Sequence, residues 1–349
     1  MNHAVGSGPV PIAVVGAGAW GKNHVRTFAG LASAEVRYVC ERDEVRREQA
    51  RGLAKTARWV PDLAVALADP ELRAVVIATE APSHFALASR ALAAGKDVLV
   101  EKPLTLKTEQ AAELVRLADQ HGAMLMVDHL LLYHPAVECL RGLIEDGELG
   151  TLLYAYTQRT NFGVVRLEEN AWWSLAPHDI SVLQYLLGSQ VTAVSAQGEA
   201  LLQPDRGVQD VVFATLQFAS GQLGHVHTSW LDPNKVRRIT VVGSRKMAVF
   251  DDTAATNKLV LFDKSVAAPL AGLAYPQPVQ LQHGPDRIPE LAQGEPLPRA
   301  CEAFLQSVRS RTATRSDGRS GLSVVRVLEA GSLSLARAGS RVEIEAHAL

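Results

Sequence analysis

Pro11-Ile12-Ala13-Val14-Val15-Gly16-Ala17-Gly18-Ala19-Trp20-Gly21 decides the fold. An apolar run of strand length enters a Gly-x-Gly-x-x-Gly turn, and Trp20–Leu31 after it reads as a helix. In such a unit Gly16 permits the tight turn and Gly18 lets the backbone approach a pyrophosphate. Gly21 lets the helix pack on the strand. The helix start at Ala19 and Trp20 offers free N–H groups and partial positive charge to an anion. Val36-Arg37-Tyr38-Val39-Cys40-Glu41 reads as a second strand ending in an acid. Glu41 lies twenty residues beyond Gly21, where a carboxylate meets adenosine ribose hydroxyls. The bland alternative is a glycine-rich turn with a solvated Glu41, and it leaves this context unexplained.

Outward from that stretch, strands and helices alternate. Asp43–Lys55, Ser83–Ala94 and Thr108–His121 read as helices, the last two with Gly95 and Gly122 past their ends. Ala74–Ala78, Asp97–Val100 and Ala123–Val127 are short apolar strands between them. Continuous apolar strands joined by helices mean a parallel sheet covered on both faces. The sequence therefore predicts a Rossmann dinucleotide-binding domain over residues 1–127.

The pattern then changes. His134–Asp146 and Ile180–Leu187 read as helices and Leu152–Arg159 as a strand. Strand-like runs follow at Val191–Gly198, Val211–Ala219, Gln222–Trp230, Arg237–Val242 and Met247–Asp251. This predicts an α+β domain over 128–349 with a large open, mostly antiparallel sheet. Ser265–Arg299 holds seven of the seventeen prolines and reads as an irregular connection. Helices at Arg299–Ser310 and Gly321–Ala338 end the chain.

Composition narrows the function classes. A length of 349 residues suits about two domains. A net charge of −2 gives no basic field for nucleic acid or an anionic membrane. Cys40, Cys139 and Cys301 are too scattered for a disulfide framework or zinc site, so reduced thiols are expected. His225 and His227 share a strand face but lack a third ligand nearby, so no metal is expected. Met1–Pro11 shows no secretory leader, and no apolar run is long enough to span a bilayer. A cytoplasmic protein is expected.

Glu101-Lys102-Pro103 stands at the carboxyl end of a parallel strand, where ligands of open α/β sheets bind. With the glycine turn, Ala78-Thr79 and His84, it makes the chain resemble the Gfo/Idh/MocA family of oxidoreductases over nearly its whole length. Within that family it resembles the subgroup of UDP-N-acetylglucosaminuronate 3-dehydrogenases. The echoes are Gly21-Lys22-Asn23-His24, Leu132-Tyr133-His134-Pro135, Arg159-Thr160-Asn161-Phe162-Gly163 and Leu175-Ala176-Pro177-His178-Asp179-Ile180. The resemblance implies that Lys102 touches the nicotinamide ribose and the reacting hydroxyl. It also implies that His178, on the first helix of the second domain, is the acid/base. The chemistry agrees, because imidazole titrates near neutrality and a lysine cation stabilises a developing alkoxide.

Two departures stand out. Relatives often carry aspartate four residues before this histidine, where Ser174 stands here. Serine supplies no charge to an imidazolium, and Asp179 beside His178 does not share its helix face. Thr79-Glu80-Ala81-Pro82 also departs from the usual Thr-Pro turn and adds a carboxylate. Glu41 repels a 2′-phosphate, so NAD is expected over NADP, although Arg42 could pair with that phosphate.

Cofactor contacts are expected from Gly16, Gly18, Ala19, Trp20, Gly21, Glu41, Arg42, Thr79, His84, Glu101 and Lys102. Substrate contacts are expected from Tyr133, Arg159, Asn161, Asn170, Trp173, Ser174 and His178, with His134 a further candidate.

The leading reading is an NAD-dependent enzyme interconverting a ring alcohol and a ketone of a sugar or sugar nucleotide, at C3 of a UDP-N-acetyl-hexosaminuronate. A keto-sugar reductase of deoxysugar or antibiotic assembly and a cyclitol dehydrogenase keep the chemistry but change the substrate. A non-catalytic dinucleotide-binding regulator is the alternative of another class, kept open by Ser174. The family pairs its open sheets between subunits, which implies a homodimer or homotetramer through the second domain.

Overall fold

The computed structural model describes residues 8–163, 165–266 and 281–345. Met1–Pro11, in which a leader is not expected, is thus only partly among the described residues. The chain forms two compact units. One takes Met1–Tyr133 with Gly294–Arg326, the other His134–Gln293 with Val327–Leu349. The domain boundary expected near 128 leaves out this return of the chain to the first unit.

The first unit is the Rossmann α/β domain. Its strands are β1 (Val10–Val15), β2 (Ala34–Cys40), β3 (Arg58–Val60), β4 (Ala74–Ile77), β5 (Asp97–Val100) and β6 (Leu125–Val127). They pair in the order β3-β2-β1-β4-β5-β6, all parallel. Every residue of β4 and β5 is buried, as their unbroken apolar runs require. The helices are α1 (Ala19–Gly30), α2 (Glu44–Ala50), α3 (Leu63–Leu67), α4 (His84–Ala93) and α5 (Thr108–His121). α1 buries Gly21, His24, Val25 and Phe28, the spacing of one helical face. Gly122 ends α5 in the left-handed region, φ 58°.

The second unit begins with α6 (Pro135–Glu145), β7 (Leu152–Phe162) and α7 (Ala171–Leu187). β8 (Val191–Glu199), β9 (Val211–Phe218), β10 (Leu223–Ser229), β11 (Leu231–Gly243), β12 (Met247–Asp251) and β13 (Leu259–Phe262) follow. β14 (Lys264–Val266) and β15 (Leu281–His283) make a separate small ladder inside the expected irregular connection, of which 267–280 lie outside the described residues. α8 (Pro296–Ser310), α9 (Gly318–Ala336) and β16 (Val342–Glu343) complete the chain. The large sheet runs β13-β12-β11-β7-β10-β9-β8-β16, antiparallel except for the β7–β10 pair.

α7 differs from its expected span, starting nine residues before Ile180 with Pro177 inside it. Proline lacks the N–H that would bond one turn back, so a break was the natural expectation. Burial outweighs the lost bond. Trp172, Ala176, Ile180 and Leu183 are fully buried, and Asn170 caps the start by accepting the Trp173 N–H at 3.1 Å.

The returning segment is anchored on the first unit. α8 buries Ala300, Cys301, Phe304, Leu305 and Val308 completely. The three largest of these contribute roughly 5–9 kcal/mol of burial as an upper bound. Arg311 just past α8 pairs with the Asp97 carboxylate at 2.8 and 2.9 Å, and Val127 donates its N–H to Ser316 O at 2.8 Å.

Candidate functional site

The glycine turn performs the three tasks its spacing implies. Gly16 has φ +95°, and a Cβ there would stand 2.6 Å from Ala78 O. A Cβ on Gly21 would meet Gly16 O at 2.2 Å, so only glycine lets α1 start this close to β1. Nothing lies within 4 Å of a Cβ built on Gly18. That open space and the first turn of α1, which has neither a side-chain cap nor an acid, fit a pyrophosphate.

A cleft of about 300 Å³ opens beside this turn, lined among others by Gly16, Gly18, Glu41, Arg42, Thr79 and Glu80. Arg46, Asp62, Leu63, Leu87 and Arg90 also line it. Glu41 accepts the Ala17 N–H at 2.8 Å and the Asp43 N–H at 3.0 Å, which pins the glycine loop to the end of β2. A carboxylate offers about four acceptor sites, so two remain for ribose hydroxyls. Ala19, Trp20, Gly21, His84, Glu101 and Lys102 are not among the lining residues.

Lys102 follows β5, and the Lys102–Pro103 peptide is cis. Around it the expected cofactor contacts His84 and Glu101 are spent on the protein itself. His84 is buried with its ring nitrogens 2.8 Å from Pro103 O and 3.1 Å from Thr79 O, and it ties the two turns together. Burial lowers its pKa, so the neutral ring donates to one of these carbonyls. Glu101 Oε1 lies 3.0 Å from His24 Nε2, and its Oε2 accepts the Lys102 N–H at 3.2 Å. Asp128 Oδ2 stands 3.3 Å from the same His24 nitrogen. Next in the chain, His129 is fully buried with neither ring nitrogen hydrogen-bonded among the described residues. Burial, with the Lys102 charge, lowers its pKa to about 3 and keeps it neutral.

The sequence singles out His24 only within the Gly21-Lys22-Asn23-His24 motif, with no role, and does not single out Asp128. The available signal was the spacing of His24 three residues after Gly21, on the buried face of α1. Tyr133, expected at the substrate, is instead buried in the first unit. Its hydroxyl bonds Ser316 Oγ at 3.1 Å, and Arg315 lies over its ring.

In the second unit α7 carries His178, half-buried, with Ser174 buried one turn before it. Arg159 on β7 faces α7 and makes two hydrogen bonds to Asp179, at 2.8 and 3.1 Å. Both side chains are buried, so the guanidinium expected at a substrate is committed to an ion pair. Burial pushes the Asp179 carboxyl up, and the Arg159 and Arg237 charges oppose that shift. Asn161 lies two residues on, on the same strand face, with its Oδ1 buried and unbonded among the described residues. Asn170 caps α7 and donates to Gln209 Oε1 at 2.8 Å, and Trp173 donates to Ser332 Oγ at 2.8 Å. His134 caps α6 through Nδ1, which accepts the Ala136 N–H at 3.0 Å.

Residues 10–129 match the family model of the GFO/IDH/MocA oxidoreductases, described as an NAD-binding Rossmann fold, and residues 137–249 match that family's C-terminal domain. The chain belongs to this family. UDP-N-acetylglucosamine 3-dehydrogenase of Acidithiobacillus ferrooxidans is 26% identical over 314 residues, 89% of this chain and 93% of its own. A solved protein of Magnetospirillum magnetotacticum MS-1 assigned to the oxidoreductases is 32% identical, with TM-score 0.79 over 92% of this chain and 99% of that one. GenD2 from gentamicin A biosynthesis, solved in complex with NAD, is 25% identical, with TM-score 0.80 over 99% and 98%. The protein is thus an oxidoreductase with an NAD-binding domain, and the glycine cradle of β1 and α1 fits that cofactor. Among the described residues no helix is long and apolar enough to cross a membrane.

Proposed function

We propose that this oxidoreductase interconverts a ring alcohol and a ketone at C3 of a UDP-N-acetyl-hexosamine or its uronate, with NAD as the hydride carrier. The observation that carries the reading is the placement of Lys102 at the carboxyl end of β5, in the unit that holds the nucleotide cleft. The substrate class is supported by the A. ferrooxidans relative, which matches over most of both chains.

Bound NAD supplies the hydride acceptor. Gly16, Gly18 and the first turn of α1 hold its pyrophosphate, Glu41 takes the adenosine ribose, and the Thr79 turn borders the same cleft. Lys102 stabilises negative charge on the reacting oxygen. His178 accepts that oxygen's proton as general base. Ser174 leaves the imidazole without a carboxylate one turn away, and Asp179 is spent on Arg159. The open face of the large sheet shows Tyr154, Tyr156, Phe213 and Leu223 well exposed, and it pairs with a second copy to form a homodimer or homotetramer.

Absorbance of reduced nicotinamide tests this reading, with NAD and a panel of UDP- and dTDP-sugars and inositols, and with NADH and keto-sugars. Turnover with a UDP-N-acetyl sugar, oxidised at C3 by mass spectrometry of the product, is expected. Turnover confined to inositols or simple sugars, or absent throughout, contradicts it. Lys102→Ala should lose on the order of a hundredfold or more in kcat. An undiminished His178→Ala variant would remove His178 from the acid/base role.

A further inference from the structure

The turn that carries Lys102 stands on a buried cluster with no part in the chemistry proposed above. We propose that His24 is a positioning residue for Lys102, acting through Glu101 to fix the Glu101-Lys102 turn. This rests on the reading of Lys102 as the group that stabilises the reacting oxygen.

The contacts run in series. Asp128 Oδ2 lies 3.3 Å from His24 Nε2, which lies 3.0 Å from Glu101 Oε1. Glu101 Oε2 then accepts the Lys102 backbone N–H at 3.2 Å. His24 and Asp128 are 0% exposed and Glu101 8%, so these contacts work in a low-dielectric site. Three elements converge here, with His24 from α1, Glu101 after β5 and Asp128 after β6. Cys301 of α8 stands near the His24 ring.

The titration directions make one consistent charge state. Burial alone disfavours the imidazolium, yet Asp128, Cys301 and Glu101 raise the pKa of His24 well above its ordinary value. Glu101 is held below the usual carboxylate range by His24 and Lys102 against the effect of burial. Burial and the Glu101 charge push Asp128 up. These directions favour a charge-assisted contact between His24 and Glu101 and draw Asp128 toward its protonated form. Pairing opposite charges offsets part of the cost of burying Glu101. Glu101 has one strong partner, and losing it would leave a buried carboxylate to find other donors. The Lys102 turn would move with it.

A double-mutant cycle tests the proposal, with kcat measured on folded protein. His24→Gln should lower kcat about ten- to hundredfold, the scale of a misplaced catalytic group, with NADH affinity nearly unchanged. In a Lys102→Ala background the same substitution should cost almost nothing, because the two residues act as a unit. Equal losses in both backgrounds, as a merely structural role predicts, would overturn the proposal. An active His24→Gln beside an inactive Lys102→Ala sinks only the positioning role, whereas full turnover by Lys102→Ala sinks the lysine reading and this proposal with it. If His24→Gln does not fold, the neutral pair His24→Gln/Glu101→Gln strands no charge, and the same cycle is read on it. The three ligand atoms lie within 4.8 Å of one another and could instead hold a cation. A stoichiometric divalent metal, whose removal by chelation abolishes turnover, would overturn the proposal.

Discussion

Asp179→Asn leaves the Arg159 guanidinium facing an amide in a buried site. Arg159 is 7% exposed and Asp179 1%, so water cannot take over the lost charge pairing. Removing one partner of a buried pair costs about 3–5 kcal/mol, a large share of a typical 5–15 kcal/mol total. The second unit takes His134–Gln293 with Val327–Leu349, a size at which 1 kcal/mol moves Tm by about 2–4 °C. The variant should therefore melt roughly 8–16 °C below the wild type for a loss of about 4 kcal/mol. Differential scanning calorimetry measures this, and urea unfolding at unchanged slope confirms that stability rather than compactness changed. The control is Arg159→Met/Asp179→Leu, which removes both charges and keeps the volume, and should recover most of the loss. A single variant within about 1 kcal/mol of wild type would refute the reasoning. So would a double variant as unstable as the single one, since the loss would then come from packing.

Glu41→Ala removes the ribose acceptor and the pin on the glycine loop, so NADH affinity should fall about ten- to hundredfold and the preference over NADPH should narrow. Titration of both cofactors into one preparation checks it, and an unchanged ratio would acquit Glu41. Gly21→Ala places a methyl group 2.2 Å from Gly16 O, so α1 must shift and NADH binding should weaken by roughly tenfold or more. Fluorescence of bound NADH reads this directly. His129 has a folded-state pKa lowered to about 3. Below pH 6.5 the unfolded chain takes up that proton and the folded chain does not, so stability falls as pH drops from 6.5 toward 3. The loss should reach about 2 kcal/mol at pH 5. His129→Leu should flatten that part of the urea-derived stability profile, and parallel profiles for the two proteins would count against a neutral buried ring.

The central strands of the first sheet are legible because burial on both faces leaves unbroken apolar runs such as Ala74-Val75-Val76-Ile77. Arg58-Trp59-Val60 is too short to show any period, and its strand emerges only through pairing with β2. α8 announces a buried face, but Ala300, Cys301, Phe304, Leu305 and Val308 cannot say which unit covers it. In the site, Gly16, Gly18, Glu41, Arg42 and Thr79 do border one cleft. His84, Glu101, Tyr133 and Arg159 bond within the protein. A motif names residue types, not which of their donors and acceptors the fold itself consumes. His24, Glu101 and Asp128 are far apart in sequence and meet only through the packing of the first unit.

Because Gly294–Arg326 belongs with Met1–Tyr133, the ribosome makes the first unit in two instalments. At about 5–20 residues per second, the last of the returning segment follows the first part by roughly 10–40 s. For that interval the nascent Rossmann half has neither Arg311 on Asp97 nor Cys301 beside His24. The surface that α8 later covers faces solvent or a chaperone while the whole second unit is being synthesised. A gene cut near codon 127, tidy by the strand pattern, would leave that surface bare for good.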